Sequence, residues 1–364
     1  EPRGTLLFEA FRNMERRGEI RTNLVGMDRA ELELVAQRLG EASFRGRQLF
    51  IQMYRRKIFD PGAMTDLSKT FRERLMSEYR IALPEILAIH RSQDGSVKFL
   101  FGLEDGENIE AVYIPDDDRA TLCISSQVGC AVGCAFCMTA RMGFRRNLNS
   151  GEIVGQVLRV IREGCLAPQG FNIVFMGMGE PLYNYRNVMK AFRLLIDADG
   201  MDLSYRKITL STSGVVPVLR MMREESVLPN LAISLNAASD EVRSRIMPIN
   251  EKWSLGELMD ALAAFPLEPR RRITIEYVLL AGENDSPQDA ERLAALLRGL
   301  RVKVNLIPYN ENPGLPYRAP DQAGVERFQE VLRRHGIGVY LRKRRGADIA
   351  AACGQLANRQ PVTM

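Results

Sequence analysis

The sequence predicts an α/β fold: six strand–helix units that form an incomplete barrel or an open sheet, behind a small basic helical domain. Three observations lead there. From residue 120 onward, short β-rich runs alternate with helical stretches, the pattern of parallel strands joined by helical crossovers. Gly, Ser and Asn gather just after successive runs, where an α/β fold places its ligand site. Residues 27–90 instead carry apolar positions at helical spacing among clustered Arg and Lys.

In order along the chain, "MDRAELELVAQRLG" reads as a helix stopped at Gly40, and "RGRQLFIQMYRRKI" and "LSKTFRERLMSEYR" follow on either side of "DPGAM". "VKFLFGLEDGENIEAVYIP" has two β-rich runs around Asp105-Gly106 and reads as a β-hairpin. The six strands of the repeating region are "TLCISS", "NIVFMGMGE", "KITLSTSG", "LAISLNA", "ITIEYVLL" and "VKVNLIPYN". Between them lie helices such as "SGEIVGQVLRVIREG", "NVMKAFRLLIDADG" and "SPQDAERLAALLRGL". The expected domains are 1–92 (basic, helical), 93–115 (hairpin linker), 116–348 (the strand–helix core) and 349–364 (a C-terminal loop).

With 364 residues and 46% hydrophobic content the chain can bury a full core. No apolar run is long enough to span a bilayer, and "EPRGTLLFEAFRNMERRGEI" lacks the apolar core of a secretion signal. The expected location is cytoplasmic, without membrane attachment, where thiols stay reduced. The net charge of +5 says little, but its distribution says more. From Arg45 to Arg80 nine basic residues stand against four acidic ones, and from Arg333 to Arg345 there are six Lys or Arg and no acid. Such patches suit a phosphate-rich partner or a solvated helix face.

Four of the six cysteines fall within "CISSQVGCAVGCAFC", residues 123–137. A reducing compartment argues against disulfides. Cys130, Cys134 and Cys137 have the spacing C-x3-C-x2-C on a loop of small residues. A zinc site would need a fourth ligand such as Cys123, and structural zinc motifs more often come as two C-x2-C pairs or with histidines. His90 and His335 are the only histidines, and both read as surface or packing residues. The spacing favours a [4Fe–4S] cluster held by three thiolates, with one iron open to a substrate or cofactor.

Together, "TLCISSQVGCAVGCAFC", "FMGMGEPLYN", "ITLSTSG", "AISLNA", "MPIN", "NLIPYN" and "RGADIAAACGQL" resemble the RlmN family of the radical S-adenosylmethionine (SAM) superfamily, over about residues 25–357. The resemblance implies a partial (β/α)6 radical SAM barrel with a small N-terminal helical domain and a β-hairpin extension. It implies methylation of adenosine C2 in the peptidyl-transferase loop of 23S rRNA and in the adenosine 3′ to the anticodon of tRNAs. The alternative is the Cfr type, which methylates C8 of the same rRNA adenosine; Pro181 after Gly179-Glu180 and "RKRRG" before the last cysteine look more like the C2 enzymes.

The implied cofactors are one [4Fe–4S] cluster on Cys130, Cys134 and Cys137, and two SAM molecules per turnover. Gly179, Glu180, Ser211, Ser234, Leu235, Asn236 and Asn310 match the SAM-binding positions. The family usually has His where this chain has Asn236; Asn can hydrogen-bond a ribose hydroxyl but does not titrate near neutral pH. Cys353 matches the residue that becomes S-methylcysteine and carries the methyl to the base through a protein–RNA crosslink. Cys123 matches the cysteine that resolves the crosslink through a transient disulfide with Cys353, and Glu110 the proton acceptor. Cys165 matches nothing and reads as inert. The remaining expectations are an electron donor such as a flavodoxin or ferredoxin system, and a monomer.

Overall fold

A computed structural model of the chain describes residues 21–116, 120–165 and 170–357. The secretion-signal reading of residues 1–20 and the last part of the expected C-terminal loop lie outside the described residues. The chain divides into two compact units, of which the first comprises residues up to 84 with 149–165 and 189–203.

In the first unit, Arg29–Arg38 is capped by Asp28, whose side chain accepts from Glu31 N while Glu31 returns a bond to Asp28 N. Helix Phe44–Phe50 runs on into one wider turn, Ile51–Arg55, and Ser68 caps Lys69–Glu78. Leu32, Val35, Leu49, Phe50, Phe71 and Leu75 are buried, as helical spacing requires. Tyr54 is fully buried and its hydroxyl is satisfied at both ends, accepting from Gly26 N (2.8 Å) and donating to Met27 O (2.9 Å). Part of the basic character is neutralised within the unit: Arg29 and Arg47 bond Asp199, and Lys190 bonds Glu31.

The second unit is built on a ten-stranded sheet: β1 Glu85–Arg91, β2 Val97–Gly102, β3 Asn108–Ile114, β4 Ala120–Cys123, β5 Phe171–Phe175, β6 Ile208–Thr212, β7 Asn230–Ser234, β8 Ile273–Leu279, β9 Val302–Pro308 and β10 Val339–Leu341. The strands lie side by side in chain order. From β4 to β10 every pairing is parallel; from β1 to β4 every pairing is antiparallel. An order without reversal is that of a partial barrel, not of a doubly wound sheet, whose strand order turns back at a switch point.

Two elements differ from expectation. Residues 85–91 form an edge strand, although they fall inside the segment read as helical. "EILAIHR" does not alternate polar with apolar side chains, so the sequence carries no period-two signal, while the structure alternates exposed with half-buried positions along it. The expected hairpin, β2–β3, is continuous with the main sheet: β3 pairs with β4, setting Val112 opposite Cys123. A seventh parallel strand, β10, is only three residues long and too short to read. Among the described residues no helix is long and apolar enough to cross a membrane.

Candidate active site

Strand β4 ends at Cys123 and delivers the cysteine loop to the C-terminal edge of the sheet. A short antiparallel pair, Gln127–Val128 with Arg146–Asn147, closes that loop at its base. Gly129 (φ 72°) is needed there: a Cβ would lie 1.7 Å from Gly143 O. Cys130 N donates to Gly143 O, Ala135 N to Ile246 O and Cys137 N to Cys134 O, so backbone bonds fix the loop between the three thiols.

Cys130, Cys134 and Cys137 line a cavity of about 960 Å³ together with Glu180, Ser211, Ser234, Asn236 and Asn310. Burial pushes the Cys130 thiol up to about 12 and raises Cys134 and Cys137 as well, Cys134 also through its two neighbouring thiols. Among the described residues no three His, Cys, Asp or Glu converge on one point as ligands of a single ion must. In a cubane each thiolate takes a different iron, so convergence is not required. The residues fit the cluster: three buried soft donors on a glycine-shaped loop, beside polar atoms that lack partners.

Those atoms are informative. Among the described residues, Asn310 Oδ1 and Glu276 Oε2 are buried without a hydrogen-bond donor, and both residues line the cavity. A buried polar atom left unpaired is costly unless a ligand satisfies it. Burial also raises the Glu276 carboxyl, opposed first by Arg342, whose guanidinium stands 3.9 Å away.

Of the expected SAM-binding residues, Gly179 adopts φ 101° and approaches Gln127 so closely that a Cβ would fall 2.5 Å from it. Glu180 N donates to Gln127 Oε1 (2.8 Å). The Glu180 carboxylate is buried and accepts from Leu182 N, Ser213 N and Ser213 Oγ at 2.7–3.0 Å. Burial raises it, against those bonds. Ser211 Oγ and Ser234 Oγ are 3.4 Å apart across β6 and β7. Asn236 sits at φ 60°, a conformation Asn tolerates. Its Oδ1 accepts from Val278 N (2.8 Å).

Ser234 and Asn236 line the cavity, and Leu235 between them does not. Leu235 is fully buried, its N–H donates to Glu276 O and its carbonyl accepts from Arg243.

Cys353 also lines this cavity, and with Cys123 it lines a second, wider one of about 1830 Å³ that contains Arg342, Lys343, Arg344 and Arg345. Both thiols are free. Burial, then the Cys353 thiol, pushes Cys123 up to about 12, while Arg342 pulls it down. The Cys353 segment is held by Asn310 Nδ2 to Cys353 O (3.3 Å), Met138 N to Gly354 O (2.8 Å) and Thr139 Oγ1 to Leu356 O (2.7 Å). Glu110 lines neither cavity; it is fully buried on β3, 3.1 Å from Lys98 Nζ, and accepts from Ala357 N (2.9 Å). Cys165 is half-buried, with Glu163 O at 3.9 Å.

Sequence reasoning missed Arg243, Lys98 and Glu276. Arg243 is 1% exposed and donates to Leu235 O (3.0 Å), Asn250 Oδ1 (3.0 Å) and Ser213 O (2.6 Å), tying the loops after β6 and β7 to the helical turn Pro248–Glu251.

Residues 124–295 match the Radical SAM superfamily, and residues 22–81 match the ribosomal RNA large subunit methyltransferase N-terminal domain. The chain is 51% identical over 325 residues to the dual-specificity RNA methyltransferase RlmN of Anaeromyxobacter dehalogenans, covering 88% of this chain and 87% of that protein. It is 49% identical to that of Syntrophobacter fumaroxidans, covering 90% and 95%. A radical SAM methyltransferase from Sphaerobacter thermophilus superposes with a TM-score of 0.88 at 43% identity, over 93% of this chain and all of that one.

Proposed function

The chain belongs to the RlmN family of radical SAM methyltransferases, and from that premise we propose that it methylates C2 of adenosine in 23S rRNA and tRNA by way of Cys353. Adenine C2 is electron-poor and does not attack a sulfonium methyl directly, so a radical route is required. When bound, the [4Fe–4S] cluster supplies the electron that cleaves SAM, and cleaved SAM supplies the radical that abstracts hydrogen from an S-methyl group.

Cys130, Cys134 and Cys137 hold three irons. Gly179 and Glu180 take the SAM amino group, and Ser211, Ser234, Asn236 and Asn310 take its carboxylate, ribose and adenine. Cys353 receives a methyl on Sγ and joins the base through that carbon. Glu110 accepts the C2 proton. Cys123 Sγ, as thiolate, bonds Cys353 Sγ; the Cys353 sulfur–carbon bond breaks, and the carbon takes a proton to become the product methyl. A thiol reductant then reopens the disulfide.

The observation that carries this reading is the meeting of Cys123 and Cys353. Distant in sequence, they line one cavity beside Arg342, and Cys353 also lines the cavity of the three loop thiols. Cys353 is therefore shared between the cavity of the thiols that would hold the cluster and the cavity of the resolving thiol. Arg342–Arg345 and the basic first unit supply phosphate contacts for RNA, whose target base must leave its stack to reach Cys353. A flavodoxin- or ferredoxin-type donor supplies electrons to the monomer.

Nucleoside mass spectrometry of RNA incubated with the reduced, cluster-loaded protein tests the reading. The expected product is 2-methyladenosine; 8-methyladenosine or no methylated adenosine overturns it.

A further inference from the structure

The Lys98–Glu110 pair is unusual for a sheet interior. Nζ and Oε1 are 3.1 Å apart and the two side chains are 5% and 1% exposed. A buried ion pair is often no more stabilising than an apolar pair of similar volume, so stability alone gives no reason for it. Register places it at the site. Lys98 stands opposite Val112, which stands opposite Cys123, and Glu110 stands opposite Leu100. Directly paired residues share a face and alternate residues return to it. Lys98, Glu110 and Cys123 therefore occupy one face of the sheet.

The pair also grips both ends of the carrier segment. Lys98 Nζ donates to Ala350 O (3.3 Å), and Glu110 Oε2 accepts from Ala357 N (2.9 Å), so the bonds bracket Cys353. Glu110 Oε1 faces the Lys98 ammonium, and each carboxylate oxygen keeps a further lone pair with which to accept, as a base must. The other titratable group facing the pair is His90, opposite Lys98 on β1; burial and then Lys98 lower it, which keeps the ring neutral.

We propose that Lys98 is a positioning residue of methyl transfer, holding Glu110 seated beside the Cys353 segment so that it can take the C2 proton. The inference rests on the reading of Glu110 as proton acceptor. In that step the C2–H bond breaks, its proton passes to a Glu110 oxygen and its electron pair restores the purine ring, while the unpaired electron of the radical adduct is given back to the electron carrier that was oxidised in SAM cleavage. A protonated Glu110 has no capacity for it. Without the ammonium, burial favours the neutral acid, and each log unit by which it does so slows resolution about tenfold at neutral pH.

The test follows crosslinked protein–RNA on denaturing gels from pH 6.5 to 9 in cluster-loaded Lys98→Met, Lys98→Arg and Glu110→Gln, with S-methylation of Cys353 measured in each by mass spectrometry. In Lys98→Met, crosslink accumulates at least ~10-fold over wild type at pH 7, and the excess shrinks as pH rises. Lys98→Arg keeps the wild-type profile, and Glu110→Gln stalls at every pH. Lys98→Met and Lys98→Arg methylate Cys353 normally. A Lys98→Met excess that ignores pH, loss of Cys353 methylation, or a displaced Lys98→Arg profile reduces Lys98 to a structural role and overturns the proposal. Wild-type resolution in Lys98→Met while Glu110→Gln stalls overturns it too and leaves Glu110 in place. Normal turnover in Glu110→Gln instead removes the reading of Glu110 itself.

Discussion

Replacing Arg243 by Met removes a cation shared by the loops after β6 and β7 and the helical turn Pro248–Glu251. Its guanidinium is buried and donates to Leu235 O, Asn250 Oδ1 and Ser213 O; burial lowers it to about 10, opposed first by Cys134. Methionine fills much of the volume but leaves three acceptors without donors, each costing ~1–3 kcal/mol. Relief of the buried charge offsets part of that sum, and the net loss expected for breaking such a network is ~4 kcal/mol. With a urea slope of ~2–3 kcal/mol/M the unfolding midpoint falls by ~1.5 M. The single tryptophan, Trp253, lies three residues beyond Asn250 in the same unit, so its fluorescence reports the transition. The consequence reaches the site because Ser213 also holds Glu180; bound iron should fall as well. A midpoint within ~0.3 M of wild type with full iron content would refute the assignment of Arg243 as the common tie.

Three further expectations concern the thiols and their loop. Cys353→Ala abolishes methyl transfer while SAM cleavage to deoxyadenosine persists, and Cys123→Ala stalls joined to RNA as a shifted gel band; normal turnover in either removes its assigned role. Gly129→Ala must move Gly143 O or the cysteine loop, since its Cβ would lie 1.7 Å from that oxygen. Iron binding should drop severalfold in anaerobic reconstitution, and full loading would show the loop to be pliant. Because burial pushes the Cys123 thiol up to about 12, its thiolate is scarce at neutral pH and grows ~10-fold per pH unit. Single-turnover RNA release should rise from pH 6.5 to 8.5, and Arg342→Met should slow it at each pH. A flat profile would show that Cys123 ionisation does not limit release.

The parts legible in the sequence are those set by local spacing. The cysteine loop, the strand–helix alternation and the Gly, Ser and Asn residues at strand ends each announce themselves within a few positions. What stayed hidden depends on register and tertiary contact. Lys98 and Glu110 both fall in the segment read as a hairpin, but their meeting is fixed by the pairing of β2 with β3. Arg243 belongs to "SDEVRSRI", whose charges suggest a solvated helix, and only the fold buries it. The burial of the Leu235 side chain between two cavity-lining neighbours follows from the end of β7 and the left-handed turn at Asn236, neither of which the sequence spells out. Glu110 carries no local mark at all; only the family resemblance picks it out.

The most direct test of the central claim is to load Cys353 with a trideuterated methyl group, allow one turnover with unlabelled SAM, and weigh the methyladenosine formed. Transfer by way of Cys353 predicts two deuterium atoms in the new methyl group. Three would mean that the methyl moves intact without hydrogen abstraction, and none would mean that Cys353 does not carry it.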